Sequence, residues 1–351
     1  MMKGKNAVKV IALVSVLIMV LAAVFIAAFS GEQKITLKVF HAGSLSIPFE
    51  EAEKEFEASH PGVDVQLEAA GSVNTIQKVT ELNRSCDVLA SADYSLIESM
   101  MMDEGYADWY IQFAVNRMVI AYTNGSAGHE ALNESNWFSV MQEDGVKFGF
   151  SSPNDDPCGY RAMMVTVLAS DYYGATSLFN DLIGNHTDIG LETNGSVRTV
   201  MVPADDSLNP DEHIMIRPKE TDLMSALESG EIDYLFIYQS VAVQHASSGV
   251  RFLSLPPQID LSDTEYAGNY SSVKVQKSNG DVSTGKPIVY GITIPKNAEH
   301  PDLAAEFVEL LIGDAGHNIL NGAGQPPIVP AVASDPAALP AVLREMVVQE
   351  R

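Results

Sequence analysis

Two carboxylates, Asp155 and Asp156, stand directly before Pro157 and Cys158. There a strand-like Lys147-Phe148-Gly149-Phe150 gives way to Ala162, Val165, Leu168 and Ala169 at helical spacing. The stretch from Ser151 to Arg161 therefore reads as a strand-to-helix loop, and such a loop aims unpaired backbone N–H groups at one point. Three further junctions have the same character: Gly43-Ser44, Gly71-Ser72 and the turn from Arg217 to Glu220. Glycine lets the backbone approach closely, serine adds a hydroxyl donor, and each helix start carries partial positive charge. The chemistry that this set serves is capture of a small anion. One such turn alone is equally a helix cap; four, two from each half of the chain, are more specific.

Asp156 and Glu220 are also the residue types of a general acid and base, as in a glycosidase. Against that reading, the chain has no GxSxG, no HExxH and no P-loop, and only Trp109 and Trp137 to stack sugars. Tyr172 and Tyr173 offer phenolates for ferric ion, but adjacent helical residues point apart and read as one core and one surface side chain.

The elements that must position these residues alternate in type. Ile35 to Phe40 is a strand, and Pro48 to Ala58 a helix with Phe49, Ala52 and Phe56 on one face. Val63 to Leu67 and Asp87 to Ala92 follow as strands, each leading to a helix, the first carrying Ile76, Val79 and Leu82 and the second running through Met102. Strands alternating with helices predict parallel sheets with ligands at the strands' carboxyl ends. Phe113 to Thr123 reads as one long crossover strand, after which the pattern restarts at Lys147. His213 to Arg217 and Asp233 to Tyr238 are later strands, with Leu223 and Leu227 on a helix between them. Residues 174–210 and 256–284 carry little pattern. Lys286 to Pro295 reads as a second long strand, followed by a helix from Pro301 to Ile312. Two lobes joined by two crossing strands would hold a cleft between them. The expected division is 1–30 as a leader, 31–116 and 287–351 as one lobe, and 117–286 as the other.

The leader has Lys3, Lys5 and Lys9 before an apolar run from Val10 to Phe29 that only Ser15 interrupts. At about 1.5 Å per residue the run spans roughly 30 Å, an export signal or a membrane anchor. Ala28-Phe29-Ser30 offers a cleavage site, so both forms remain open, and the positive-inside rule puts the residues after Gly31 outside the cytoplasm. The 351 residues carry 21 Lys+Arg against 46 Asp+Glu; without the three leader lysines the balance is 18 against 46, a net −28. Nucleic acid is therefore excluded as a partner. Cys86 and Cys158 form no CxxC or Cys/His spacing, which argues against a zinc site.

The segments His41-Ala42-Gly43-Ser44, Ala69-Ala70-Gly71-Ser72, Asp87 to Tyr94, Asp156-Pro157-Cys158-Gly159-Tyr160-Arg161 and Gly285 to Pro295 resemble those of the archaeal tungstate/molybdate-binding proteins. The resemblance covers about residues 35–330. It implies an α/β, two-lobed type II periplasmic-binding-protein fold, each lobe a mostly parallel sheet flanked by helices, with two crossing strands at the hinge. It also implies a non-enzymatic, cofactor-free component of an ABC importer, working with permease and ATPase subunits at the extracytoplasmic face of the membrane. By that resemblance Gly43, Ser44, Ser72, Cys158 through its backbone beside Pro157, and Tyr238 would bind the oxygens of molybdate or tungstate. Asp156 and Glu220 would approach the metal atom of the oxyanion, extending it toward six-coordination. Sulfur resists such expansion, which sets this reading against that of a sulfate or phosphate receptor. A one-residue slip would exchange Asp155 and Asp156, with Pro157-Cys158 favouring Asp156, and the choice between tungstate and molybdate stays open.

Overall fold

The computed structural model describes residues 34–350; the leader expectation lies outside them. The chain starts with strand β1 (Ile35–Ala42), a 3-10 turn Gly43–Leu45, helix α1 (Ser46–Ser59), β2 (Val63–Ala70), α2 (Ser72–Thr80), β3 (Val88–Ser91) and a short helix α3 (Tyr94–Ile97). Helix α1 buries Phe49, Ala52 and Phe56, the stripe that its spacing predicts, and α2 buries Val73, Ile76 and Val79. Leu82 falls beyond the end of α2 and is exposed.

The expected single strand from Phe113 to Thr123 is two: β4 (Ile111–Val115) and β5 (Met118–Tyr122), in different sheets. The break is Asn116-Arg117, where the Asn116 side-chain oxygen accepts from Arg117 N–H and so replaces a ladder bond. Next come β6 (Phe148–Ser151), α4 (Pro157–Tyr172), the hairpin β7 (Gly190–Asn194) and β8 (Val197–Met201), β9 (Ile214–Arg217), β10 (Tyr234–Tyr238) and β11 (Arg251–Ser254). Strands β12 (Val273–Gln276), β13 (Val282–Thr284), β14 (Val289–Thr293), β15 (Pro327–Ala333) and β16 (Val347–Gln349) complete the set. Residues 286–288 only lead into β14, because Pro287 has no N–H to give a ladder.

One sheet takes the order β16-β15-β4-β14-β3-β1-β2, a second β11-β5-β10-β6-β9, and a third β13-β12-β8-β7. The first therefore joins residues 35–115 to 289–349, and the other two lie between. Strands that follow one another through a helix are parallel, as β1 with β2 and with β3, and β6 with β9 and β10. The sheets as wholes are mixed rather than mostly parallel. The strands at the crossings between lobes, β4, β5 and β14, run antiparallel to their neighbours.

Helix α4 is buried on nearly every side from Pro157 to Ser170. It packs against β6 and β10 of the second sheet and β12 and β8 of the third, so apolar residues surround it rather than forming a stripe. The third sheet uses the two stretches whose sequence shows little pattern. Its parallel pair β8–β12 joins distant segments, and Glu192, Thr193 and Asn194 of its edge strand face water. Among the described residues no helix is long and apolar enough to cross a membrane.

Candidate functional site

The four expected junctions meet where the two lobes touch. The Val73 N–H donates to the Asp155 carbonyl across the boundary at 3.2 Å. A Cβ on Gly71 would lie 2.5 Å from that carbonyl oxygen and 3.0 Å from the Pro218 oxygen. A Cβ on Gly43 would lie 3.0 Å from Thr221 Oγ1 and 3.1 Å from Glu220 Oε2. Gly71 has an ordinary φ of −58°, so what requires glycine here is space for the opposite lobe rather than a left-handed turn.

Ser44 and Ser72 are buried and neither caps its helix. Ser72 Oγ accepts the Ala92 N–H at 2.9 Å, which leaves the serine proton for another acceptor. Ser44 Oγ lies 2.8 Å from the Tyr290 hydroxyl. Asn116 Nδ2 donates to that hydroxyl at 3.1 Å and to Ser240 Oγ at 2.8 Å. The Asn116 oxygen accepts from Arg117 and Ser240 N–H groups, which fixes the amide orientation. The Tyr290 proton is thereby directed to Ser44 Oγ, and the Ser44 proton is left to be donated onward. Tyr238 Oη accepts from Arg161 Nη1 at 2.7 Å; a guanidinium only donates, so the Tyr238 proton is likewise free. Three hydroxyls are thus prepared as donors.

The carboxylates sit beside them. Asp156 is the N-cap of α4: one oxygen accepts from Cys158 N–H at 3.4 Å and the other from Glu220 N–H at 3.1 Å, across the β6–β9 edge. Glu220 opens a 3-10 turn, is buried, and has no hydrogen-bond partner on either carboxylate oxygen. Burial pushes both carboxyl groups above the usual carboxylate range, and for Glu220 the adjacent Asp156 charge adds to it. Two buried acids without a cation between them strain the site unless a proton or a ligand intervenes. Asp155 does not share this place: its side chain turns toward Asp205 and Asn74, and burial with the Asp205 charge raises it to about 7. Of the two neighbours, it is Asp156 that stands against Glu220.

Every expected site residue, Gly43, Ser44, Ser72, Asp156, Pro157, Cys158, Glu220 and Tyr238, falls in this buried region. Sequence reasoning missed those that orient them, Asn116, Arg161, Tyr290 and Asp93, and also Ser151, whose buried hydroxyl is unpartnered. Arg161 carried a signal, a charge inside an apolar helical run that must find a partner indoors. Its partners are Asp93, at 3.3 Å, and the Ala92 carbonyl, at 2.8 Å. His41 adds no charge: burial lowers it to about 4, and its Nδ1 bonds the Ala42 carbonyl. Cys86 and Cys158 are buried free thiols, Tyr172 is exposed, and Tyr173 packs against the core.

Comparison with known proteins agrees with this fold. A family model described as bacterial extracellular solute-binding protein matches residues 37–325. A solute-binding protein of Methanoculleus marisnigri is 48% identical over 304 residues, 85% of this chain and 83% of its own. The molybdate/tungstate-binding protein WtpA of Thermococcus kodakarensis is 42% identical over 314 residues, 87% of this chain and 86% of its own. The solved periplasmic molybdate-binding protein of Azotobacter vinelandii shares the fold, with a TM-score of 0.56 and 18% identity over 84% of this chain and 99% of that one. The mixed-sheet, two-lobed architecture and these relatives establish that the chain belongs to the extracellular solute-binding protein family.

Proposed function

We propose that the chain captures a tetrahedral group 6 oxyanion, tungstate or molybdate, between its lobes and delivers it to the permease and ATPase subunits of an ABC importer outside the cytoplasm. The observation that carries this reading is Glu220: a buried carboxylate with both oxygens unpartnered, set against Asp156 and beside hydroxyls prepared to donate. A receptor for an ordinary oxyanion gains nothing from acids next to its ligand, since like charges at about 4 Å repel by about 4 kcal/mol at an effective dielectric near 20. A metal atom able to add oxygen ligands turns the same acids into partners. Ser44, Ser72, Tyr238 and the Gly43 and Cys158 backbone would hold the oxygens, while Asp156 and Glu220 would reach the metal atom. The 42% identical relative named for molybdate and tungstate supports the same ligand class. A hydrolase using Asp156 and Glu220 as acid and base is disfavoured, because the two residues are buried side by side, with the Glu220 N–H bonded to the Asp156 carboxyl.

Isothermal titration with tungstate, molybdate and sulfate tests the proposal. The expected result is one site, tight for the two group 6 anions and much weaker for sulfate. Sulfate binding as tight as tungstate would leave a generic anion receptor. Ser44→Ala and Ser72→Ala should each cost about 1.5–3 kcal/mol of tungstate affinity, the range for a hydrogen bond to a charged group.

A further inference from the structure

At the far end of β9 from Glu220, three side chains converge that the anion site does not use. His186 follows the turn Asn180–Gly184, and Asp211 and His213 lead into β9, whose last residue Arg217 precedes the site turn. At roughly 3.3 Å per residue the length of β9, about 13 Å, separates the two places. Their ligand-type atoms all lie within 4.8 Å of one another, and among the described residues this is the only trio of its kind. Asp211 Oδ2 is 2.6 Å from His186 Nδ1, Asp211 Oδ1 is 3.4 Å from His213 Nδ1, and the two imidazole rings lie 4.9 Å apart.

We propose that His186, Asp211 and His213 bind one divalent transition cation of the zinc class, with water in the fourth position. Three features favour a site over a chance cluster. First, the backbone beneath it is already fixed: Asp211 N–H donates to the His186 carbonyl at 3.0 Å, and His213 N–H donates to Asp211 Oδ1 at 2.9 Å. Second, His213 Nδ1 is buried yet has no hydrogen-bond partner, so its 3.4 Å approach to the carboxylate is not a hydrogen bond. A nitrogen in that state costs stability unless something outside the protein's own donors meets it. Third, the spacing fits. Tetrahedral bonds of about 2.0–2.1 Å put neighbouring ligand atoms roughly 3.3 Å apart. The His213 contact has that length, and the His186 contact must open by only about 0.7 Å as the cation replaces the shared proton.

Two imidazoles and one carboxylate suit zinc, cobalt, nickel or copper ions better than calcium or magnesium, which want an all-oxygen shell. Asp211 is partly exposed and gives the fourth ligand a path to solvent. The neighbouring groove carries Asp211, Glu212 and Glu231 against Lys147 and Arg217, so its local balance is negative and favours a metal ion. The bound ion would tie the 186 turn to the start of β9.

The test uses the full chain, stripped of metal with a chelator and titrated with zinc chloride. One zinc per chain is expected, with a raised melting temperature. His186→Ala and His213→Ala should each weaken binding about tenfold or more and abolish the melting shift, while the metal-free variants melt close to the parent. In the unmutated chain, the imidazole NMR signals of His186 and His213 should move with zinc while those of buried His41 stay. No binding up to millimolar zinc, affinity undiminished in both variants, or zinc-induced shifts only at other histidines would each overturn the proposal.

Discussion

Asp93 and Asp156 begin alike and end as opposites. Each follows a strand, caps the next helix through the N–H two residues on, and has nearly the same backbone, φ −140° and ψ 114° against φ −139° and ψ 129°. Both are buried. Burial alone would raise both pKa values. At Asp93 the charges of Lys286, 2.9 Å away, and Arg161, together with a bond from the Tyr160 hydroxyl, outweigh it and hold the carboxyl far below its ordinary range. At Asp156 burial prevails: the Glu220 carboxyl, Ser151 beside it and two N–H groups lower it, but no cation does, so the carboxyl stays raised. The local device is therefore neutral about its use. Compensation makes Asp93 a fastener between lobes, since Tyr160 and Arg161 come from α4 and Asp93 from the other sheet. Lack of compensation leaves Asp156 and Glu220 waiting for a partner.

The largest expected effect comes from undoing the fastener. Arg161→Met removes a buried cation and leaves Lys286 as the remaining charge on Asp93, beside the Tyr160 hydroxyl, and breaking a buried pair from one side costs about 3–5 kcal/mol. Urea unfolding should show that loss. A change under about 1 kcal/mol would mean that Lys286 holds Asp93 unaided and that the two aspartates differ less than their partners indicate.

Next in size is the opposite sign at the other aspartate. Glu220→Gln and Asp156→Asn each relieve a buried acid pair, and unfolding of the ligand-free protein should become harder by about 1–3 kcal/mol. Tungstate affinity should nevertheless fall, because the charge that destabilises the empty cleft is the one that ligates the metal atom. Sulfate, which takes no extra ligand, should bind no worse. Tighter tungstate binding in both variants would reduce the carboxylates to bystanders.

The pH dependence separates the two aspartates again. A carboxyl with a lowered folded pKa stabilises above its unfolded value, about 3.9, and that stability is lost as pH falls through the lower folded value. Asp93 therefore acts on the acid limb. For the raised Asp156–Glu220 pair the folded protein holds protons that the unfolded chain has released, so stability falls as pH rises from about 4 toward neutrality. Arg161→Met should flatten the first limb and Glu220→Gln the second. Ligation of tungstate by both carboxylates would also expel their proton, visible as a dependence of binding enthalpy on the buffer.

Much of this was legible in residue order. The alternation of strands and helices, the stripe on α1 and the four junctions all rest on local periodicity and turn chemistry, which need no knowledge of the partner. What escaped depends on pairing across the chain. Nothing local joins Arg161 to Asp93, or Asn116 and Tyr290 to Ser44. The third sheet escaped because polar, half-exposed strands such as β7 and β13 carry no apolar alternation. The run from Phe113 to Thr123 is apolar on both sides of Asn116, so hydropathy alone could not show that it changes sheet.

The smallest expected effect sharpens the comparison most, because it concerns the residue next door. Asp155 and Asp156 differ by one position, yet Asp155 turns away from Glu220 toward Asp205 and Asn74, while its carbonyl accepts the Val73 N–H at the lobe boundary. Asp155→Asn keeps that carbonyl. It removes a partly exposed carboxyl that burial and the Asp205 charge raise to about 7. By the same sign rule, the parent loses stability between about pH 4 and 7 as the unfolded chain ionises first, and the variant should lose less. Solvent screening keeps the gain small, below about 1 kcal/mol. Tungstate affinity at neutral pH should match the parent's, in contrast to Asp156→Asn. Titrating both variants side by side checks this. If Asp155→Asn lost affinity as Asp156→Asn does, the assignment of the ligating acid would move by one residue, and burial would no longer be the property that marks it.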